Sequence, residues 1–172
     1  MRRVLAWFAV VVTGLLLQST LFAPPNGFTL AGARPELMYL ITIVLAMLEG
    51  PASGATAGFA GGMAQDLLLN LRGKGSTALT LTLVGYVVGQ LRQYITTPSP
   101  LLPVVLVAGG TAGGVLFDGL VRFLLGQLNV TALYLLRTAL LSAAYNAVLT
   151  PIFYPVIRRA AEASRAKRIT RW

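Results

Sequence analysis

The sequence predicts an all-α integral membrane protein, with six transmembrane helices in one bundle and both ends in the cytoplasm. Three observations predict it. Of 172 residues, 56% are hydrophobic and 11% are charged, against roughly 25% charged in an average soluble domain. The few charges punctuate long apolar runs, and Gly and Pro clusters fall between those runs. The same composition excludes whole classes. The chain is too apolar to remain disordered. With no Cys and no His, it has no disulfide, no Cys/His zinc site and no His-based catalytic triad.

No charge occurs from Val4 to Ala33. Residues 4–23 are long enough to cross a bilayer core, which takes about 20 helical residues. A signal peptide is the rival reading of Arg2, Arg3 and this run. Against it, Pro24-Pro25-Asn26-Gly27 stands where a small-residue cleavage site is expected, and the rest of the chain is equally hydrophobic. The next apolar stretch, from Leu37 to Leu71, would be about 52 Å long as one helix. That exceeds a hydrocarbon core of about 30 Å. Gly50-Pro51 breaks it, because an interior Pro forfeits a helical hydrogen bond. The expectation is a tight hairpin of a short helix at 35–49 and a second at 51–70. The short helix is either shielded by its neighbours or thins the bilayer locally.

Gly73 and Gly75 precede a fourth span at 76–95, and Thr96-Thr97-Pro98-Ser99-Pro100 is a turn-rich break. A fifth span covers 101–125, and Gly126 to Asn129 turns the chain into a sixth at 131–157. Residues 1–157 thus form one membrane domain, and 158–172 a basic cytoplasmic tail.

Orientation follows the Lys/Arg bias. Six spans put Arg2, Arg3, Arg92, Arg158, Arg159, Arg165, Lys167, Arg168 and Arg171 on one side. Arg34, Arg72, Lys74, Arg122 and Arg137 fall on the other. The richer side is the cytoplasm. The net charge of +9 does not point to nucleic acid, because the basic cluster directly follows a span. Arg158, Arg159, Arg165, Lys167, Arg168 and Arg171 suit contact with anionic membrane lipids, and they also serve simply as a topology signal.

Small residues let membrane helices approach closely, and lipid supplies no hydrophobic drive for helix association. Gly54, Gly58 and Gly62 are spaced by four and line one helix face. Gly85 and Gly89 do so on the fourth span, and Gly109-Gly110 with Gly113-Gly114 on the fifth. Each stripe is either a seam within the bundle or a docking face for a partner helix; Gly54, Gly58 and Gly62 are the leading docking candidate. The segments 58–66 and 110–118 share the pattern G-x-A-G-G-x-x-x-D, five of nine positions, a weak internal echo.

Ionisable residues within spans are costly and often functional. Glu49, Asp66, Asp118, Arg122, Arg137 and Asn146 form the candidate intramembrane polar network. Each also has a structural reading. Glu49 sits beside the start of the third helix, where its charge opposes the helix dipole favourably. Asp118 and Arg122 are four apart and pair on one face, Asp66 has Arg137 or Arg122 as partners across the bundle, and Asn146 suits an interhelical hydrogen bond. Nothing supplies a nucleophile motif, a phosphate loop or a metal cluster. Gly73-Lys74-Gly75-Ser76 lacks the spacing of a phosphate loop. An enzyme is not expected, nor a catalytic residue, cofactor or metal.

Taken in order, several motifs are distinctive: Leu17-Gln-Ser-Thr-Leu-Phe22, Pro35-Glu-Leu37, Glu49-Gly-Pro51, Gly54-x3-Gly58-x2-Gly-Gly62-x3-Asp66, Val84-Gly-Tyr86, and Tyr145-Asn-Ala-Val-Leu-Thr-Pro151 leading to Pro155 and Arg158-Arg159. The ordered set resembles the rod shape-determining MreD family over essentially the whole chain. Glu36 departs from that pattern, where Asp is more usual. The resemblance implies a multi-pass protein of the bacterial plasma (inner) membrane and a non-enzymatic scaffold of the cell-elongation machinery. It implies binding to the single-span protein MreC, in a wider complex with MreB, RodA and a penicillin-binding transpeptidase that directs side-wall peptidoglycan synthesis. It also implies a likeness to the six-helix substrate-binding components of energy-coupling-factor transporters. The alternative is a transport protein, a vitamin-binding component or small permease, with a polar pocket in its outer half near Asp66, Asp118, Arg122 and Arg137.

Overall fold

The computed structural model describes residues 11–14, 16, 18, 20, 36–68, 75–95, 101–126 and 131–166. Expectations for residues 1–10, 21–35 (with Arg34), 69–74 (with Arg72 and Lys74), the break at 96–100, the turn at 127–130 and residues 167–172 lie outside them. Helical residues 11–14, 16, 18 and 20 belong to α1. The others are α2 (Leu37–Glu49), α3 (Pro51–Leu68), α4 (Ser76–Tyr94), α5 (Leu102–Leu124) and α6 (Ala132–Ala166).

Glycine and proline set the boundaries. Gly50 ends α2 at φ 97° and ψ −177° and donates its N–H to Ala46 O at 2.9 Å. That conformation belongs almost exclusively to glycine. Pro51 then opens α3 at a position where its missing N–H costs nothing. Gly75 at φ 89° precedes α4, and Gly126 at φ 66° follows α5. The hairpin between α2 and α3 therefore falls where Glu49-Gly50-Pro51 put it.

α2 is the axis of the bundle. It is 13 residues long, about 20 Å, and too short to cross a bilayer alone. Every residue from Leu37 to Met47 is buried, against α3, α4, α5 and α6. Leu40, Ile43 and Val44 have no exposed surface. Of the two alternatives for the short helix, shielding by neighbours is what the fold adopts.

α3 lies flush on α4. A Cβ built at Gly54 would stand 2.6 Å from Gly85 O, one at Gly58 2.6 Å from Leu81 C, and one at Gly62 2.7 Å from Ala78 N. Gly89 meets Pro51 in the same seam. This corrects the expectation that Gly54, Gly58 and Gly62 receive a partner helix: the chain's own fourth helix fills that face. α5 divides its glycines. Gly110 and Gly114 sit against Ile43 and Tyr39 of α2, whereas Gly109 and Gly113 have nothing within 4 Å.

The apolar part of α6, Ala132–Arg159, lies close to the expected span at 131–157, and the helix itself continues to Ala166. It runs through Pro151 and Pro155, and the Ala-rich stretch after Arg159 has high helix propensity. Only α5 and residues Ala132–Arg159 of α6 are, among the described residues, both long and apolar enough to cross a membrane by themselves. α3 and α4 have 18 and 19 residues, but Gly, Thr, Ser and Gln lower their hydropathy. Their glycines let the two helices pack flush on each other.

Candidate functional site: a polar cluster at one end of the bundle

Antiparallel hairpins bring the start of α2, the end of α3, the start of α4 and the end of α5 to one end. Several buried polar side chains meet there. Asp118 and Arg122, one turn apart on α5, form an ion pair with Oδ2 to Nε at 2.7 Å. Arg122 also donates from Nη2 to Thr77 Oγ1 at 3.0 Å, tying α5 to α4. Asp66, near the end of α3, accepts the Ala78 backbone N–H on Oδ2 at 3.1 Å. It thereby satisfies one of the orphan donors of the first turn of α4.

Glu36 precedes α2. Its carboxylate accepts from Gln18 Nε2 of α1 at 3.3 Å. Gln18 Oε1 in turn accepts the Met38 N–H at 3.2 Å, capping the first turn of α2. Asn146 is completely buried in α6. It donates from Nδ2 to Glu36 O at 2.9 Å and to Thr111 Oγ1 at 3.0 Å. One amide thus ties α6 to α2 and α5. The two echo segments converge here as well: Asp66 and Asp118, each ending its copy of the pattern, enter one cluster, while Gly58, Gly62, Gly110 and Gly114 face inward.

Asp66, Asp118, Arg122 and Asn146 are therefore brought together. Arg137 is not, being exposed on α6. Asp66 has the Ala78 N–H as its partner instead of Arg137, because a helix N-terminus lies within reach and needs an acceptor. Glu49 is at the opposite end of α2. Arg92 approaches there, donating to Leu48 O at 3.1 Å, a cation on the carbonyl end of a helix. Arg158 and Arg159 are exposed on α6, and Arg165 lies in its last turn.

Sequence reasoning missed Gln18, Glu36, Gln65, Ser76, Thr77 and Thr111 as members of the cluster. Gln18 and Glu36 already stood in the two short motifs beginning at Leu17 and Pro35. The hydroxyls carry no signal, because Thr and Ser are common in membrane helices. Away from the cluster, an open apolar groove of about 570 Å³ runs between α3 and α4 past Phe59, Met63, Leu79, Leu83 and Tyr86. Among the described residues, no group of three or more carboxylates is arranged to hold a metal ion.

Fold and site together define a Gly-packed bundle of apolar helices tied at one end by buried polar contacts, with two helices fit to cross a membrane. A family model described as rod shape-determining protein MreD matches residues 1–160. The chain belongs to the MreD family, whose members are membrane proteins of cell-shape determination and not a known enzyme family. No curated protein and no solved structure matches it.

Proposed function

We propose that the chain is a non-enzymatic scaffold of the bacterial elongation machinery, seated in the plasma membrane with six spans and both ends cytoplasmic. In this reading it binds MreC and, through the wider complex with MreB, RodA and a penicillin-binding transpeptidase, helps direct side-wall peptidoglycan synthesis. The family match over residues 1–160 carries the reading. The buried α2 supports it, since four neighbours around one short helix make a rigid body suited to holding partners. The basic end of α6 and the residues after it lie against the anionic cytoplasmic leaflet, at about 1 kcal/mol per basic residue near the surface.

Complementation tests the role. In rod-shaped cells depleted of their own family member, this chain restores rods. Cells that stay round despite a folded, membrane-inserted product would refute it. The transport reading draws on the same polar cluster. It predicts a specific small-molecule thermal shift from a vitamin panel, and no shift would remove it.

A further inference from the structure

The third and fourth helices turn outward a face unlike that of α5 and α6. The exposed large side chains in the middle of α5 and α6 are aliphatic, among them Val105, Leu120, Leu140, Val148 and Ile152. They suit contact with acyl chains. On α3 and α4, Thr56 and Tyr86 are exposed and Gln90 is half-buried. Neither helix is apolar enough to stand out as a span by itself. Polar groups on a membrane helix favour a protein neighbour over a lipid one.

The open apolar groove of about 570 Å³ lies on this face. Its lining combines the small Ala55, Ala78 and Thr82 with the bulky Phe59, Leu83 and Tyr86. Tyr86 carries the argument, since it belongs to the groove and is 48% exposed. In α4, which runs Ser76–Tyr94, it stands about 15 Å from one end and about 12 Å from the other. Tyrosines of membrane proteins gather at the two interfaces, where the hydroxyl reaches water. Midway along a span the hydroxyl needs a protein partner. Tyr86 Oη accepts from Gln90 Nε2 at 2.9 Å, and Gln90 in turn accepts from Gln93. The Tyr86 hydroxyl proton itself has no acceptor among the described residues.

We propose that the groove between α3 and α4 seats one transmembrane helix of a partner protein, which offers an oxygen acceptor to Tyr86 at mid-membrane depth. The inference rests on the scaffold reading and locates its docking face. An acyl chain fills such a groove but accepts no hydrogen bond. A second copy of this chain presents the same concave face, and two grooves set against each other leave both unfilled. α1 is committed elsewhere, since Val11 stands 3.6 Å from a Cβ built at Gly61 and Ile41 closes on Gly14. A single convex helix from another protein meets both the shape and the hydrogen bond.

The test places a photoreactive phenylalanine analogue at Met63 or Leu83, and for contrast at Val148 or Ile152. The full chain is co-expressed with the MreC-like protein of the same organism and illuminated in membranes. Positions 63 and 83 are expected to crosslink to the single span of that protein, and positions 148 and 152 to lipid alone. Tyr86→Phe removes only the hydroxyl and weakens the complex about threefold, the average worth of one interhelical hydrogen bond. Ala55→Phe fills the groove and weakens the complex on the order of tenfold, while the chain alone stays monodisperse. If that variant does not fold, the crosslinks in the otherwise native chain decide. A complex that crosslinks only through 148 or 152 would overturn the groove and leave the scaffold reading standing. So would an intact complex in which 63 and 83 reach only lipid or a second copy of this chain, or one whose affinity neither variant changes. Absence of any complex would remove the scaffold reading, and this inference with it.

Discussion

A single atom decides whether a glycine position tolerates a side chain. Gly58 has no room for a side chain, because a Cβ there meets the Leu81 carbonyl carbon at 2.6 Å. Gly58→Leu therefore forces α3 off α4, and the yield of folded, monodisperse protein falls steeply in detergent. Gly113 has nothing within 4 Å, so Gly113→Leu folds like wild type. Size-exclusion profiles of the two variants check both statements. Asn146→Leu removes both bonds that tie α6 to α2 and α5. Interhelical hydrogen bonds in membranes average about 0.6 kcal/mol, so the pair contributes roughly 1–2 kcal/mol, read as a lower unfolding midpoint. The sequence marked Asn146 because an amide in an apolar run has few other uses. It did not mark Glu36 as the partner, because the contact spans 110 positions and uses a backbone carbonyl that every residue possesses.

At the scale of elements, glycine and proline were the legible signals. Gly50-Pro51 and Gly75 place helix ends to within a residue or two of expectation. Gly50 also carries a conformational demand. Gly50→Ala puts a Cβ into backbone that only glycine tolerates, at a cost of about 1–3 kcal/mol, visible as a lower midpoint with the helical content unchanged. Which side of a glycine stripe faces inward was not legible. Spacing by four says that Gly54, Gly58 and Gly62 share a face, and it says nothing about what lies opposite. α5 shows the same ambiguity within one helix, with Gly110 and Gly114 inside and Gly109 and Gly113 outside. The end of α6 was not legible because Arg158 and Arg159 close the apolar run while the helix goes on to Ala166. Pro151 and Pro155 each remove one ladder hydrogen bond. Thr150 lends its hydroxyl to Asn146 O at 2.6 Å just before Pro151, within the kind of side-chain compensation that lets membrane helices carry proline.

The whole molecule is a short buried helix wrapped by longer ones and pinned at one end by polar contacts. Charges were legible as a group because they are scarce; the meeting of Asp66, Asp118 and Arg122 at one end follows from the alternation of helix direction. Two helices are long and apolar enough to cross a membrane by themselves, and the proposed six-span topology adds α3 and α4, the short α2 and α1. Reporter fusions test this: fusions after residues 50, 97 and 172 report cytoplasm, and fusions after 73 and 128 report the opposite side. A reversed pattern at the 73 or 97 fusion would remove α3 or α4 from the spans. The basic end contributes at the same scale. Reversing Arg165, Lys167, Arg168 and Arg171 to Glu lowers the anionic lipid that co-purifies with the chain, measured by lipid mass analysis at low salt.

The scaffold reading stands or falls on a partner. The most direct measurement is co-expression of this chain with the MreC-like protein of the same organism, mild extraction, and size exclusion with mass analysis. A stable complex of defined stoichiometry that survives transfer to nanodiscs is the predicted result. A folded chain that elutes alone under every such condition would contradict it.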